Sequence, residues 1–491
     1  GIPSGITRGS RLSCVSTSEN NSTASNRILN ALGPSATILK ELGELFFKNG
    51  FEISLVGGPV RDAVLGKTVK DLDLTTNAKP EQIQKTLKNW ADSIWDVGIK
   101  FGTVGAKLGD YVFEITTYRT EQYEDSSRKP SVEFGKTLEE DLARRDFTIN
   151  AMAFRLPSFE LVDIYNGLTD LNNKILRTPL DAQISFSEDP LRMLRAARFI
   201  SKLELKPQAD LVESMNKLAE RIKIVSMERV SDEFNKLILT NKPRVGIELL
   251  VETGVAEHFL PELPALKLEV DEHHHHKDVY QHSLTVLDQV INLEINHEPK
   301  GEPDLTLRLA ALLHDIGKPK TRKFEGEGRV SFHHHEVVGA RLAKKRLIKL
   351  RYANEIIDEI CLLIELHLRF HGYGDGKWTD SAVRRYVRDA QEQLIRLHKL
   401  TRADCTTRNE AKAEKLRKAY DDLEQRIIEL SKQEELKSMR PELDGAEIMQ
   451  ILNIKPGPEV GQAYQFLLDL RLDKGVLGKE KATEELKTYW A

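Results

Sequence analysis

Cysteine is nearly absent: three residues in 491, Cys14, Cys361 and Cys405. Three scattered thiols exclude a disulfide framework and a zinc ribbon and fit a reducing cytosol, so a cytoplasmic protein is expected. No apolar run approaches the roughly 18 residues of a membrane-spanning helix, so no membrane partner is expected. Neither sign of charge dominates, because 72 Lys and Arg stand against 76 Asp and Glu for a formal net charge of −4. No global field therefore announces a nucleic-acid binder, and such a role must rest on local basic patches. The opening stretch, Gly1 to Asn26, is poor in large apolar residues and rich in Ser, Thr, Asn and Gly. It lacks the apolar segment of a signal peptide and reads as disordered over 1–27, and its first residue, Gly, reads as the result of processing or cloning.

The chain is organised around Leu55 to Leu74, L-V-G-G-P-V-R-D-A-V-L-G-K-T-V-K-D-L-D-L. An apolar strand from Phe51 meets Gly57-Gly58, where only residues without a Cβ let backbone crowd a phosphate. Val60 to Leu65 reads as the first turns of a helix, and Asp71 to Leu74 returns as a strand. Alternation along that strand puts Asp71 and Asp73 on one face. Paired carboxylates repel unless a cation lies between them, and hard oxygen ligands with waters left over suit Mg²⁺. A two-metal nucleotidyl-transfer site with a glycine turn for the phosphates is the chemistry this predicts. Taken singly, the Gly-Gly turn and the D-x-D strand are as ordinary as any turn or solvated strand edge; their combination within one strand-turn-helix-strand unit is what is specific.

Ile28 to Phe47 has helical spacing, and Lys79 to Trp90 opens a further helix at Pro80. Phe101 to Leu108 and Tyr111 to Tyr118 flank Gly109-Asp110 as a hairpin. Its second strand offers Glu114 either as a third carboxylate for the Asp71/Asp73 pair or as an exposed strand Glu. Thr120 to Glu139 is polar, without sustained period, and reads as a long loop. Arg144, Arg145, Asp146 and Asn150 follow; guanidinium groups beside a phosphate turn neutralise a triphosphate, and the Asp fixes an Arg fork or a ribose hydroxyl. From Leu180 to Pro261 the pattern is helical. Asp189 reads as an N-cap before Pro190, with Arg192, Arg195 and Arg198 spaced along one side of the helix, either as a solvated basic face or as a row facing an anion. Glu228 to Glu233, E-R-V-S-D-E, is placed to brace that row.

Four motifs in this order, G-G-P-V-R-D with D-L-D, R-R-D-F-T-I-N-A, E-D-P-L-R-M-L-R and E-R-V-x-x-E, resemble those of bacterial class II tRNA nucleotidyltransferases of the polymerase-beta-like superfamily, across about Ile28 to Pro261. The resemblance implies an α+β fold: a polymerase-beta-like head with a mixed sheet and helices (28–179), then all-α neck (180–263), HD (264–410) and tail (411–491) domains. It implies template-independent addition of C, C and A to the 3′ end of tRNA from CTP and ATP. Asp71 and Asp73 would hold Mg²⁺, with Glu114 beside them. Gly58, Arg61, Arg144, Arg145, Asp146 and Asn150 would serve the nucleotide's phosphates and ribose. Asp189 and Arg192, with Arg195 and Arg198 behind them, would read the base. A carboxylate accepts from the exocyclic amine that cytosine and adenine share, and an Arg donates to their ring acceptors. The segment Thr120–Glu139 would be the flexible loop used in switching from CTP to ATP.

A second constellation begins beyond Pro264. His282, His314, Asp315 and Asp404 resemble the metal ligands of an HD-type phosphohydrolase, and His335 and His367 resemble ligands for a second ion. Imidazole with carboxylate favours Mn²⁺, Ni²⁺ or Zn²⁺ over Mg²⁺. The run His273–His276 is an affinity-tag-like tract or a metal-touching one. Thr406 to Gln433 reads as a solvated connector helix, and Lys455-Pro-Gly-Pro as a turn that opens a tail helix and meets phosphate. Two rival functions are a poly(A) polymerase acting on other RNA and an HD phosphohydrolase whose N-terminal half only binds RNA. A non-catalytic RNA-binding module conflicts with two complete ligand sets.

Overall fold

Seven strands build the sheet that carries the first candidate site. The structure, a computed structural model, describes residues 17–98, 101–123, 130–267, 278–327, 329–371, 378–434 and 439–491. The strands are β1 (Ile53–Val56), β2 (Leu72–Thr76), β3 (Ser93–Gly98), β4 (Thr103–Leu108), β5 (Tyr111–Thr117), a separate hairpin of β6 (Arg119–Tyr123) and β7 (Pro130–Phe134), then β8 (Ala153–Leu156) and β9 (Glu160–Val162). The sheet order is β3-β4-β5-β2-β1-β8-β9. Strands β2 and β5 run parallel, and the other neighbours are antiparallel. Central β1 is buried at all four positions, as expected of a strand covered on both faces. In β2 the leucines are buried while Asp73 reaches partial exposure, so the alternation read from D-L-D-L holds.

Helices α1 (Thr17–Leu32), α2 (Ser35–Lys48), α3 (Gly58–Val64), α4 (Pro80–Leu87), α5 (Leu138–Ala143) and α6 (Gly167–Asn173) accompany the sheet. Helices α7 (Ala182–Glu188), α8 (Arg192–Leu203), α9 (Ala209–Leu218), α10 (Met227–Ile238) and α11 (Pro243–Glu252) follow it. Three expectations need correction here. Residues 1–16 lie outside the described residues, but helix starts at Thr17 and not at Ile28, because Ala24, Ile28 and Leu32 recur at i, i+4 and are buried. Gly33, at φ 54°, and Pro34 break the expected single helix in two. The presumed loop Thr120–Glu139 pairs as β6 and β7 and then opens α5, with residues 124–129 outside the described residues. Edge strand β3 had no assignment from sequence.

The chain divides into two compact units. One comprises the residues up to Glu233 with Val245–His258; the other comprises Phe234–Arg244 with Phe259 onward. The second unit is helical: α12 (Val279–Asn296), α13 (Leu305–Leu313), α14 (Lys318–Thr321), α15 (His335–Lys349), α16 (Asn354–Leu366), α17 (Asp380–Ala390), α18 (Leu394–Asp404), α19 (Glu410–Glu434), α20 (Gly445–Leu452), α21 (Pro458–Lys474) and α22 (Lys479–Trp490). Short strand pairs interrupt the helical part of the chain, β10 (Ile175–Leu176) with β11 (Lys206–Pro207) and β12 (Arg322–Phe324) with β13 (Val330–Phe332). The tail helices close on their own core of Leu443, Ile448, Ala463, Leu467, Ala482 and Leu486. The tract His273–His276 lies outside the described residues. Among the described residues, no helix is long and apolar enough to cross a membrane.

Arg308 organises the second unit's interior. It is 1% exposed and donates to both carboxylate oxygens of Glu294, at 2.8 to 3.3 Å, and to the Ile238 and Thr240 carbonyls at 2.8 and 2.7 Å. Removing one partner of such a buried pair strands the other charge, at a cost of about 3–5 kcal/mol. Arg308→Met should therefore lower the midpoint of thermal unfolding, and Arg308→Met/Glu294→Leu should recover part of the loss. A scan in which the single variant unfolds with wild-type protein would refute this.

Candidate active site and candidate metal centre

Gly57 has φ 74°, a conformation that favours glycine, and a Cβ there would lie 3.1 Å from an Arg145 guanidinium nitrogen. The turn thus passes close under Arg145, which in turn pairs with Asp141 at 3.1 Å. Arg61, three residues into α3, is buried at 4% exposure and spans outward, with Nη1 donating to Asn150 at 2.6 Å and Nε to Asp62 at 3.0 Å. Across β2 and β5, Asp73 stands in register with Glu114. Glu114 is thus both beside Asp73 on the neighbouring strand and exposed, as each of the two readings had it. Burial, then Glu114 and Asp71, push the Asp73 carboxyl up to about 6, with Arg145 pulling the other way. That displacement marks a place where negative charge lacks its counter-ion. The three carboxylates are open to solvent and less tightly gathered than those of the second centre: among the described residues, the groups whose ligand atoms lie within 4.8 Å of one another all belong to the latter. An all-carboxylate set with room for water fits Mg²⁺.

The next three motifs meet on one buried acid. Asp146 accepts from the Phe147 N–H at 2.8 Å, Asn150 Nδ2 at 3.0 Å, and the Arg195 fork at 2.8 and 2.6 Å. Burial alone would raise its carboxyl, but Arg195 and Asn150 hold it at about 2. Burial likewise works against the Arg195 charge, and Asp146 and Glu233 overcome it and raise its pKa. Glu233 pairs with both Arg195, at 3.2 Å, and Arg198, at 3.1 Å, so the bracing read from the E-R-V-S-D-E segment is present. The row of arginines is not a solvated face. Arg192 is buried, donates to Ser185 Oγ at 2.9 Å and to the Arg144 carbonyl, and lies 3.8 Å from Glu188. Helix α8 starts at Arg192, two residues later than the expected Pro190 start. Asp189 Oδ1 still accepts from the Leu191 N–H at 3.1 Å, and the Asp189 carbonyl accepts from the Arg192 N–H.

In the second unit four imidazoles converge on Asp315. Its Oδ1 lies 3.1 Å from His335 Nε2 and 3.7 Å from His367 Nε2; its Oδ2 lies 3.2 Å from His314 Nε2 and 3.7 Å from His282 Nε2. Asp404 Oδ1 closes the second group, 2.8 Å from His282 and 3.2 Å from His314. Nδ1 of His314, His335 and His367 each donates to a carbonyl three residues earlier, those of Ala311, Phe332 and Ile364, at 2.6, 3.0 and 2.5 Å. These bonds turn the Nε2 of those three rings toward the centre, the arrangement that metal-ligating histidine needs. Burial would lower the His314 pKa, but Asp315 and Asp404 raise it to about 10, while both acids lie well below the usual range. Such a knot of protons and carboxylates fits one or two divalent ions, and Asp315 would offer an oxygen to each of two groups of ligands.

Glycine explains how α15 comes so near. A Cβ on Gly317 would lie 2.1 Å from the His335 carbonyl and 2.6 Å from the Gly339 N–H, so H-D-I-G-K needs its glycine for close helix approach. The six residues singled out for the second site meet at one centre; of those singled out for the first, Arg61, Asn150, Asp146 and Arg195 are joined by hydrogen bonds, and Asp73 and Glu114 stand in register. Sequence reasoning missed Lys318, whose ammonium lies 3.2 Å from Asp315 Oδ2; its place at i+3 from the acid was the available signal. It also missed Phe199, whose ring lies 4.5 to 5.5 Å from three guanidinium carbons, those of Arg61, Arg195 and Arg198.

Comparison with known proteins adds the following. Residues 53–177 match the family described as the poly A polymerase head domain, 204–266 a probable RNA- and SrmB-binding site of polymerase A, and 279–409 the HD domain. A CCA-adding enzyme of Lactobacillus helveticus is 42% identical over 209 residues, covering 42% of this chain and 51% of its own length. One of Enterococcus faecalis is 35% identical over 257 residues, 50% of this chain and 61% of its own. The chain spans about half the length of the curated relatives it matches. In fold it is similar to the Bacillus stearothermophilus CCA-adding enzyme in complex with CTP, with a TM-score of 0.61, 22% identity and coverage of 93% and 98% of the two chains. It is also similar to a Thermotoga maritima CCA-adding enzyme complexed with tRNA, with a TM-score of 0.61, 19% identity and coverage of 95% and 98%.

Two outcomes follow from the geometry. The folded state favours a protonated Asp73, so its penalty is absent below the ordinary 3.8 and grows as pH rises through about 6. In EDTA at pH 8, Asp73→Asn should melt about 2–4 °C above wild type, an advantage that disappears near pH 4 and when Mg²⁺ is added to wild type. A lower melting point than wild type at pH 8 would contradict the assignment. Gly317→Ala should displace His335 and weaken Mn²⁺ or Ni²⁺ binding at least tenfold in calorimetric titration; unchanged affinity would remove the close-approach argument.

Proposed function

We propose that this chain, which carries a poly A polymerase head domain, an RNA-binding segment and an HD domain, is an enzyme that adds C, C and A to the 3′ end of tRNA, taking CTP and ATP in turn without a nucleic-acid template, in the cytoplasm. The observation that carries this reading is the Arg61–Asn150–Asp146–Arg195 chain of hydrogen bonds, which ties the helix after the glycine turn to α8, with Arg145 close over Gly57 and acting on Asp73. Asp71, Asp73 and Glu114 would hold Mg²⁺, which when bound acidifies the RNA 3′-hydroxyl and neutralises charge on the departing pyrophosphate. The Gly57-Gly58 backbone admits the phosphates closely, and Arg61, Arg144 and Arg145 supply their counter-charge. Asp189 and Arg192 stand side by side at the entry to α8, held by Leu191, Ser185 and the Arg144 carbonyl. From there a carboxylate acceptor and a guanidinium donor suit cytosine and adenine and leave guanine and uracil mismatched, a discrimination of roughly 1–3 kcal/mol.

A second reaction is favoured by the convergence of four imidazole Nε2 atoms on Asp315, three of them fixed by backbone carbonyls. We assign the second unit metal-dependent hydrolysis of a phosphate ester, with His282, His314, Asp315 and Asp404 and then His335 and His367 as ligands for Mn²⁺, Ni²⁺ or Zn²⁺. Lys318, beside Asp315, supplies positive charge for the phosphate.

Incubation of tRNA lacking its 3′ end with each nucleotide separately tests the first reading. C should enter first and A only after it, and ATP incorporated alone in long tracts would favour a poly(A) polymerase. Asp71→Ala should lose addition and keep hydrolysis, and His314→Ala the reverse; retained addition in Asp71→Ala would sink the site assignment.

A further inference from the structure

Three motifs that lie far apart in the chain touch one aromatic ring. Phe199 is 3% exposed, in the second turn of α8. The guanidinium carbon of Arg198 lies 4.5 Å from its centroid, that of Arg61 5.1 Å and that of Arg195 5.5 Å, and Phe147 meets it edge-on at 5.9 Å and 77°. Arg61 belongs to the helix that follows the glycine turn, Phe147 is the neighbour of Asp146, and Arg195 and Arg198 belong to the helix that begins at Arg192.

Three cations so close would repel one another. Burial and then the neighbouring Arg195 pull the Arg198 pKa down, which records that strain, while Glu233 and Asp146 counter it. Carboxylates attend the cations at their outer ends: Asp62 on Arg61, Asp146 and Glu233 on Arg195, and Glu233 again on Arg198. At the inner ends the ring is the shared partner. An aromatic face attracts guanidinium groups through its quadrupole, most strongly where water is excluded. An aliphatic side chain of similar bulk fills the space and offers no such attraction.

We propose that Phe199 is a positioning residue for nucleotide addition: its ring couples the helix that begins at the base-reading pair to Arg61 at the phosphate turn, so that a fitting base sets the phosphates in line for transfer. This rests on the nucleotidyl-transfer reading above. A ring that only fills space would be replaced without kinetic consequence by any apolar residue that preserves folding. A ring that aligns Arg61 acts on the reacting geometry more than on affinity, because small misplacement of reacting groups slows transfer steeply.

The test compares wild type, Phe199→Leu and Phe199→Tyr in single-nucleotide addition to tRNA lacking its 3′ end, with thermal unfolding of each protein alongside. For Phe199→Leu the proposal expects kcat for CTP and ATP to fall at least tenfold while KM stays within about threefold, and the ratio of correct to GTP incorporation to fall. Phe199→Tyr, which keeps the ring, should restore wild-type values within about threefold. The proposal is overturned if Phe199→Leu adds nucleotides at the wild-type rate, if only its KM changes, or if Phe199→Tyr is as impaired as Phe199→Leu at an equal melting temperature. Absence of addition by wild-type protein would instead reject the underlying nucleotidyl-transfer reading.

Discussion

A carboxylate sealed from solvent has to be neutralised or given a cation, and Asp146 is given Arg195. That single demand sets much of the first unit. Arg195 reaches Asp146 only if α8 lies against the segment after α5, and Asn150 reaches the other Asp146 oxygen only if the turn after Phe147 is tight. Asn150 then holds Arg61, and Arg61 stands one turn beyond Gly58. The helix that presents Asp189 and Arg192 is thereby indexed to the glycine turn by charge-assisted hydrogen bonds, which are directional, and not by apolar contact alone. Glu233 closes the arrangement from α10 by serving two arginines at once.

The second unit answers the same demand differently. Asp315 lies among four imidazoles and an ammonium, with its two oxygens shared between two groups of ligands. Here the backbone does the orienting, since three of the four rings are tied to carbonyls three residues earlier in the chain. The two centres differ accordingly in donor type. The first, all carboxylate and partly open, suits a hard ion that keeps its waters; the second, nitrogen-rich and buried, suits a transition metal.

Much of this was legible in the residues, because the strongest signals were local. The Gly57-Gly58 turn, the alternation of β2 and the two-residue turn at Gly109-Asp110 each depend on a few adjacent positions, and each stands as read. H-D-I-G-K pointed to two members of the His/Asp cluster, while the reason for its glycine emerged only once α15 lay against it. The misses were long-range or pattern-poor. That Asp146 fixes an Arg fork could be stated, but not which one, since Arg195 is 49 residues away. Thr120–Glu139 carries no apolar alternation to read, and its strands β6 and β7 pair only with each other, outside the main sheet. Phe199 was hidden by its chemistry: an aromatic residue on a helix reads as core, and only the three guanidinium groups around it say otherwise.

The positions of the second centre's ligands within their helices carry a further consequence. His314 follows the last turn of α13, His367 follows that of α16, and Asp404 is the final residue of α18. Three helix C-termini, with the negative ends of their dipoles, therefore meet at one place. The main chain itself makes that place attractive to a positive ion before any side chain is counted. Exchanging one ligand residue weakens the grip on a cation but leaves the sign of the local field unchanged. The Lys318 ammonium beside Asp315 lies in that same field, which favours positive charge at the centre whichever ligand residue is exchanged.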